Sequence, residues 1–198
     1  MSIWDERYGG EDYFYGTEPN AFLVSQRDRL KPGMSCLAVA DGEGRNGVWL
    51  AEQGLDVLSL DASPVAQAKA RQLAQRRGVQ MHFQQADLLA WQSDERFDVV
   101  AAIFIQFVGP DLRAQQFANL KQHLKPDGLL LLQGYTPRQL EFRTGGPSQA
   151  ENLYTEAMLR ELCAEMEIVH LREHDSVIRE GTGHNGLSAL IDLVARKR

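Results

Sequence analysis

Cysteine is scarce: Cys36 and Cys163 are the two in 198 residues. Two cysteines exclude a disulfide framework, and their separation has no metal-ligand spacing, so no metal is expected. Cys36 lies in an apolar run and Cys163 in a helical pattern, and both read as buried, reduced thiols. No apolar run approaches the ~18 residues of a membrane span, so no membrane partner is expected. Basic residues are in deficit, 21 Lys and Arg against 27 Asp and Glu, for a net charge of −6. Binding to phosphate backbones needs a basic face, so nucleic acid is not an expected partner. The start, Met-Ser-Ile-Trp-Asp-Glu-Arg-Tyr, is polar and acidic, unlike a secretory leader, and a cytoplasmic protein is expected. What remains is a globular composition, 43% hydrophobic, in a chain long enough for one α/β domain and short for two. A single domain over 1–198 is the expectation, with an aromatic N-terminal segment and helix (1–30) that covers the site.

Glycine carries the most informative feature. Gly42, Gly44 and Gly47 satisfy G-x-G-x-x-G. They follow a strand-like run at 35–40 and precede a helical run at 45–53, which is the context such a match needs. Glycines there let a ligand lie against the backbone. Asp41 and Glu43 stand in the same turn. Two carboxylates oppose a pyrophosphate and favour a ligand with an ammonium and a sulfonium, as in S-adenosylmethionine.

The remaining chain alternates strands and helices. Residues 56–61 read as a strand, and Ser63-Pro64 as the cap and first turn of a helix ending at Gly78. Strands follow at 79–84, 97–104 and 129–133, with a helix over 111–124 and a turn at Lys125-Pro126-Asp127-Gly128. Residues 137–152 are polar and rich in Gly and Pro, and read as a mobile loop or lid. A helix from Thr155 to about Met166 precedes two strands, 167–178 and 187–196, joined by a glycine-rich loop as an antiparallel hairpin. The alternation implies an α/β Rossmann-like fold with a mostly parallel sheet.

Ligands of such sheets lie at the carboxyl ends of the strands. Those ends carry Asp41 to Gly44 and Asn46; Asp61 and Ala62, where an acid binds ribose hydroxyls; Asp87 and Leu88, suited to an adenine; and Ile103. Asp61 and Asp87 also have a plainer use as helix N-caps. Substrate contacts are expected from Phe104, Gln106, Phe107, Arg138 and Arg179, the arginines suiting an anionic acceptor. His184, in a glycine-rich loop, and Tyr135 are the candidate catalytic residues.

The order Trp-Asp-Glu-Arg-Tyr, Tyr15-Gly16-Thr17-Glu18-Pro19-Asn20, Gly42-Glu43-Gly44-Arg45-Asn46, Val-Leu-Ser-Leu-Asp61, Gln85-Ala86-Asp87-Leu88 and Leu124-Lys125-Pro126-Asp127-Gly128 resembles small bacterial class I S-adenosylmethionine-dependent methyltransferases, in particular the tellurite-resistance and thiopurine methyltransferase-like group. The resemblance covers nearly the whole chain. It implies a seven-stranded sheet whose last hairpin supplies the antiparallel strand. It also implies S-adenosylmethionine as cofactor and a small-molecule acceptor such as a thiol, a thiopurine or a tellurium or selenium oxyanion. The family's strand 1 ends in an acid, an apolar residue and a glycine; here these are Ala38, Val39 and Ala40. Asp41 and Glu43 are the nearest acids to replace the one missing at Ala38. Two other readings share the glycine pattern: an NAD(P)-dependent oxidoreductase, against which the acidic loop and the lack of a second catalytic domain count, and a non-catalytic S-adenosylmethionine-binding protein.

Overall fold

The computed structural model describes residues 3–198; Met1 and Ser2, part of the expected N-terminal segment, lie outside the described residues. The chain groups into two compact units, one reaching to Gln92 and including Glu180–Gly183, the other formed by Ser93–Arg179 and His184–Arg198.

The first unit contains α1 (Ile3–Tyr8), α2 (Ala21–Ser25), β1 (Ser35–Val39), α3 (Arg45–Glu52), β2 (Asp56–Asp61), α4 (Pro64–Arg77) and β3 (His82–Gln85). β1 pairs in parallel with β2, from Ser35↔Asp56 to Val39↔Leu60, and β2 in parallel with β3, from Leu58↔His82 to Asp61↔Gln85. α4 starts and stops as its sequence prescribes. The Ser63 side chain accepts from the Ala66 N–H, Pro64 follows, and Gly78 closes the helix at φ 69°. That cap also explains why β3 starts at His82 and not at Val79: the Val79 N–H is still bonded to the Ala74 carbonyl of α4. The helix expected within residues 1–30 is broken in two after Ser25. Asn20 caps α2, the Gln26 N–H turns back to Leu23 and Val24, and a separate 3₁₀ turn follows at Arg27–Arg29.

The second unit holds β4 (Phe97–Ile103), α5 (Pro110–Gln122), β5 (Leu124–Tyr135), α6 (Gln139–Phe142), α7 (Glu156–Leu162), all of β6 (Glu167–Glu180) but its last residue, and β7 (His184–Arg196). β4 and β5 are buried over nearly their full length, as parallel strands covered on both faces must be. β5 is longer than expected because Lys125–Gly128 interrupts its register instead of preceding it: Phe97 pairs with Leu124, then Val99 with Leu129. β5 pairs antiparallel with β7, Leu129↔Arg196 to Tyr135↔Leu190. The hairpin loop shrinks to residues 181–183, so the strands that flank it extend to Glu180 and His184. Residues 137–152 are more structured than expected. They include α6 and a 3₁₀ turn at Ala150–Asn152, and Gln139 bonds the Ala189 N–H, Thr144 Oγ1 and the Gly145 carbonyl. The seven strands stand in the order β3-β2-β1-β4-β5-β7-β6. Among the described residues no helix is long and apolar enough to cross a membrane.

Gly44 shows how tightly the first unit is packed. It sits at φ 86°, and a Cβ there would lie 2.7 Å from the Ala70 Cβ of α4. Gly44→Ala is therefore expected to lower stability by about 2–4 kcal/mol, from left-handed backbone strain plus overpacking. Urea unfolding checks this, and a loss below about 0.5 kcal/mol would contradict it.

Candidate active site

In the first unit the strand ends converge on the glycine loop. Ala40 adopts φ 48° directly after β1, a left-handed conformation that normally calls for glycine, at the position where the family pattern has one. The acids of the loop do not point outward. Asp41 Oδ1 accepts from the Gly47 N–H at 3.0 Å and Oδ2 from Ser59 Oγ at 2.8 Å. Glu43 Oε2 accepts from the Phe14 N–H at 2.7 Å, and Oε1 pairs with Lys69 at 2.8 Å. Both carboxylates are buried and engaged by the protein itself. Where a ligand-facing role was expected, the structure gives each acid protein partners that fold the loop and hold the N-terminal segment onto it.

Asp61 is placed differently. Its Oδ2 accepts from the Gly42 N–H and its Oδ1 from the Ser63 N–H, both at 2.8 Å. The Ala62 backbone also bonds the carboxylate, which leaves capacity for about one further donor such as a ribose hydroxyl. Burial pushes the Asp61 carboxyl up, while its backbone bonds hold it down. Ala62 is exposed beside it, and its carbonyl accepts from Gln85 Nε2. Asp87 is exposed and bonds the Leu89 N–H through Oδ1 at 2.9 Å; Leu88 next to it is buried. Gly44 faces Ala70 and is a packing glycine, whereas Gly42 faces Tyr8 of α1. Asn46 Oδ1 accepts from the Asn20 N–H at 2.9 Å.

Sequence reasoning missed the network that surrounds this loop. Arg45 pairs with Glu180 at 2.7 Å, and Asn20 Nδ2 donates to the other oxygen of Glu180 at 2.9 Å. All three side chains are buried. The Phe14 carbonyl accepts from the Thr182 and Gly183 N–H groups. The N-terminal segment is thus fastened to the glycine loop and to residues 180–183. Asn20 was legible only as the end of the Tyr15-to-Asn20 motif, because its partner Glu180 is 160 residues away. Tyr8 was legible only as the last residue of the Trp-Asp-Glu-Arg-Tyr motif in a segment dense in aromatics.

In the second unit His184, Tyr135 and Phe104 come together. Phe104 stacks on Tyr135 with ring centroids 4.7 Å apart, and His184 meets Phe104 edge-on at 4.5 Å and Tyr135 at 5.4 Å. Phe104 follows β4 at φ 56°. An aromatic residue held there stores roughly 1–3 kcal/mol of strain, which its surroundings must fix. Gln106 braces the cluster: its amide accepts from the Tyr135 N–H at 2.6 Å and donates to the Tyr135 carbonyl at 2.8 Å. Gln106 is therefore a buried support, and Ile103 a buried strand residue, while Phe107 is exposed. The arginines do not join the cluster. Arg138 pairs with Asp175 at 2.7 Å. Arg179 is exposed and alternates along β6 with the buried Ile178, which packs on Tyr135. It thus faces the other side of the strand.

Residues 36–128 match the family described as methyltransferase domain. The fold is the Rossmann-like fold of class I methyltransferases. The chain resembles TehB from Haemophilus influenzae with a TM-score of 0.74 at 17% identity, over 98% of this chain and 66% of that one. It resembles the N-methyltransferase NodS from Bradyrhizobium japonicum WM9, crystallised with S-adenosylhomocysteine, with a TM-score of 0.72 at 14% identity, over 98% and 96%. A ubiquinone biosynthesis O-methyltransferase from Rickettsia prowazekii (strain Madrid E) is 32% identical over 100 residues, 50% of this chain and 39% of the relative. The chain spans about two fifths of the length of that curated relative.

Asp41 generates a pH dependence. Burial pushes its carboxyl up to about 7, against the pull of the Ser59 and Gly47 bonds. The unfolded chain releases this proton near the ordinary value of 3.8. The stability that protonated Asp41 contributes is complete below that value and is lost as pH rises through about 7. Asp41→Asn keeps an acceptor for Gly47 and gives Ser59 an amide. It is expected to flatten the fall in unfolding free energy between about pH 4 and 7, measured by urea titration at each pH. An unchanged slope would contradict the assignment.

Proposed function

We propose that this chain is an S-adenosylmethionine-dependent methyltransferase acting on a small molecule. The observation that carries the reading is the Asp61 carboxylate at the end of β2, next to a glycine with no side chain, inside a segment that matches a methyltransferase domain. Asp61 would accept from a ribose hydroxyl. Asp87 and Leu88 would take the adenine amino group and ring face. The N-terminal segment, held by Glu43 and Glu180, would cover the donor and exclude water.

The bound donor supplies a methyl group on a sulfonium, whose charge is lost as the methyl transfers. The chain's part is to orient the acceptor, and positioning of this kind is worth roughly 7–11 kcal/mol. The Phe104, Tyr135 and His184 cluster offers flat apolar surface with one imidazole that can take a proton. A soft sulfur nucleophile needs little from that base, and an oxygen nucleophile needs more. With Arg138 committed to Asp175 and Arg179 on the other face of its strand, the cluster lacks the cations a tellurium or selenium oxyanion would need. A thiol or thiopurine fits it better.

Tyr8 also bears on the nicotinamide alternative. A pyrophosphate on the glycine loop would need the space over Gly42, where the Tyr8 hydroxyl lies. Calorimetry is expected to show binding of S-adenosylmethionine and S-adenosylhomocysteine; tighter binding of NAD would overturn the proposal. His184→Ala is expected to lower turnover by roughly 10-fold to 100-fold, about 1.4–2.7 kcal/mol, for acceptors that must give up a proton. Donor affinity should not change. Parent-level turnover of every acceptor would remove His184 from the site.

A further inference from the structure

Tyr8 is the last residue of α1 and is 5% exposed. Its ring stacks on Trp4 at 6.1 Å and meets Tyr15 edge-on at 6.3 Å. Its hydroxyl lies against the glycine loop, 2.9 Å from where a Cβ on Gly42 would stand. The helix is held there by Asp5, whose carboxylate accepts from Ser63 Oγ at 2.7 Å. The Tyr8 hydroxyl makes no side-chain hydrogen bond within the protein among the described residues, and it is not one of the fully enclosed unpaired polar atoms, so it stays open to solvent or to a ligand. It does lie in the field of Asp61, which together with burial keeps the phenol protonated and hence a donor.

The surrounding groups define what is missing. Asp61 can only accept, and the backbone N–H groups of Gly42 and Ser63 beside it are already given to it. A ribose hydroxyl donating to Asp61 would have its proton satisfied and its oxygen lone pairs unserved. An unpartnered O–H beside that carboxylate supplies the missing donor.

We propose that Tyr8 is a donor-binding residue whose hydroxyl hydrogen-bonds a ribose oxygen of the methyl donor beside Asp61. The inference rests on the methyltransferase reading and adds a contact which that reading does not contain. It also gives α1 a specific role, since the helix then covers the donor and contributes one of its ligands. The phenol does no chemistry on the methyl group.

The decisive comparison is between the full chain and Tyr8→Phe, which keeps both ring contacts and removes one oxygen. Calorimetry is run with S-adenosylmethionine, S-adenosylhomocysteine and 5′-methylthioadenosine, which share the ribose but not the amino-acid end. All three are expected to bind about 3- to 10-fold more weakly to the variant, the range of one neutral hydrogen bond. The ligand-free variant should melt at or above the parent temperature, because the lost hydroxyl had no partner in the free protein. Unchanged or tighter binding would overturn the proposal, since the hydroxyl would then be idle or obstructive. So would a loss confined to the two ligands with an amino-acid end, or a drop in the melting temperature of the free variant. If the parent chain binds none of the three, the methyltransferase reading itself falls, and this inference with it.

Discussion

Arg45 and Glu180 are 135 residues apart in the chain and 2.7 Å apart in the structure. Two buried charges of this kind are costly unless each finds its partner, and removing one partner of such a pair typically costs about 3–5 kcal/mol. The pair therefore makes the first unit dependent on one geometry. Arg45 belongs to the glycine loop, Glu180 ends β6, and Asn20 joins them from the N-terminal segment while Asn46 bonds the Asn20 backbone. Three distant stretches can satisfy these polar groups only by meeting. The cover over the glycine loop is thereby part of the fold, although it precedes the first strand in sequence.

A second regularity is that acids serve backbone N–H groups. Asp41 holds Gly47, Asp61 holds Gly42 and Ser63, and Glu43 holds Phe14. A loop rich in glycine has little side-chain material with which to fix itself, and buried N–H groups need acceptors. The carboxylates supply them.

The second unit fixes its aromatic cluster by other means. Phe104 is held in a strained conformation, and its ring is clamped between neighbours that cannot yield. Tyr135 is locked by the paired bonds to Gln106, and the backbone of Gly146 lies against the Tyr135 ring, where a Cβ would come within 2.6 Å. Rigid apolar walls of this sort suit an in-line displacement, in which position matters more than acid–base strength.

Residues 42–133 show what local chemistry determines. The caps at Ser63 and Gly78, the apolar runs of β2 and β4 and the glycine pattern act over a few residues, so element type and order were legible, and with them the fold class. Boundaries failed where backbone hydrogen bonds crossed between elements, as when the Gly78 cap absorbed Val79, or when Lys125–Gly128 became an interruption within β5. The use of each polar side chain was decided by tertiary structure alone. Whether Asp41 faces a ligand or Ser59, whether Arg138 faces an acceptor or Asp175, and whether Tyr8 decorates a tail or closes over Gly42 depend on which distant group arrives within about 3 Å. Hydrogen-bond energy falls off over that distance, and no periodicity in the chain records it.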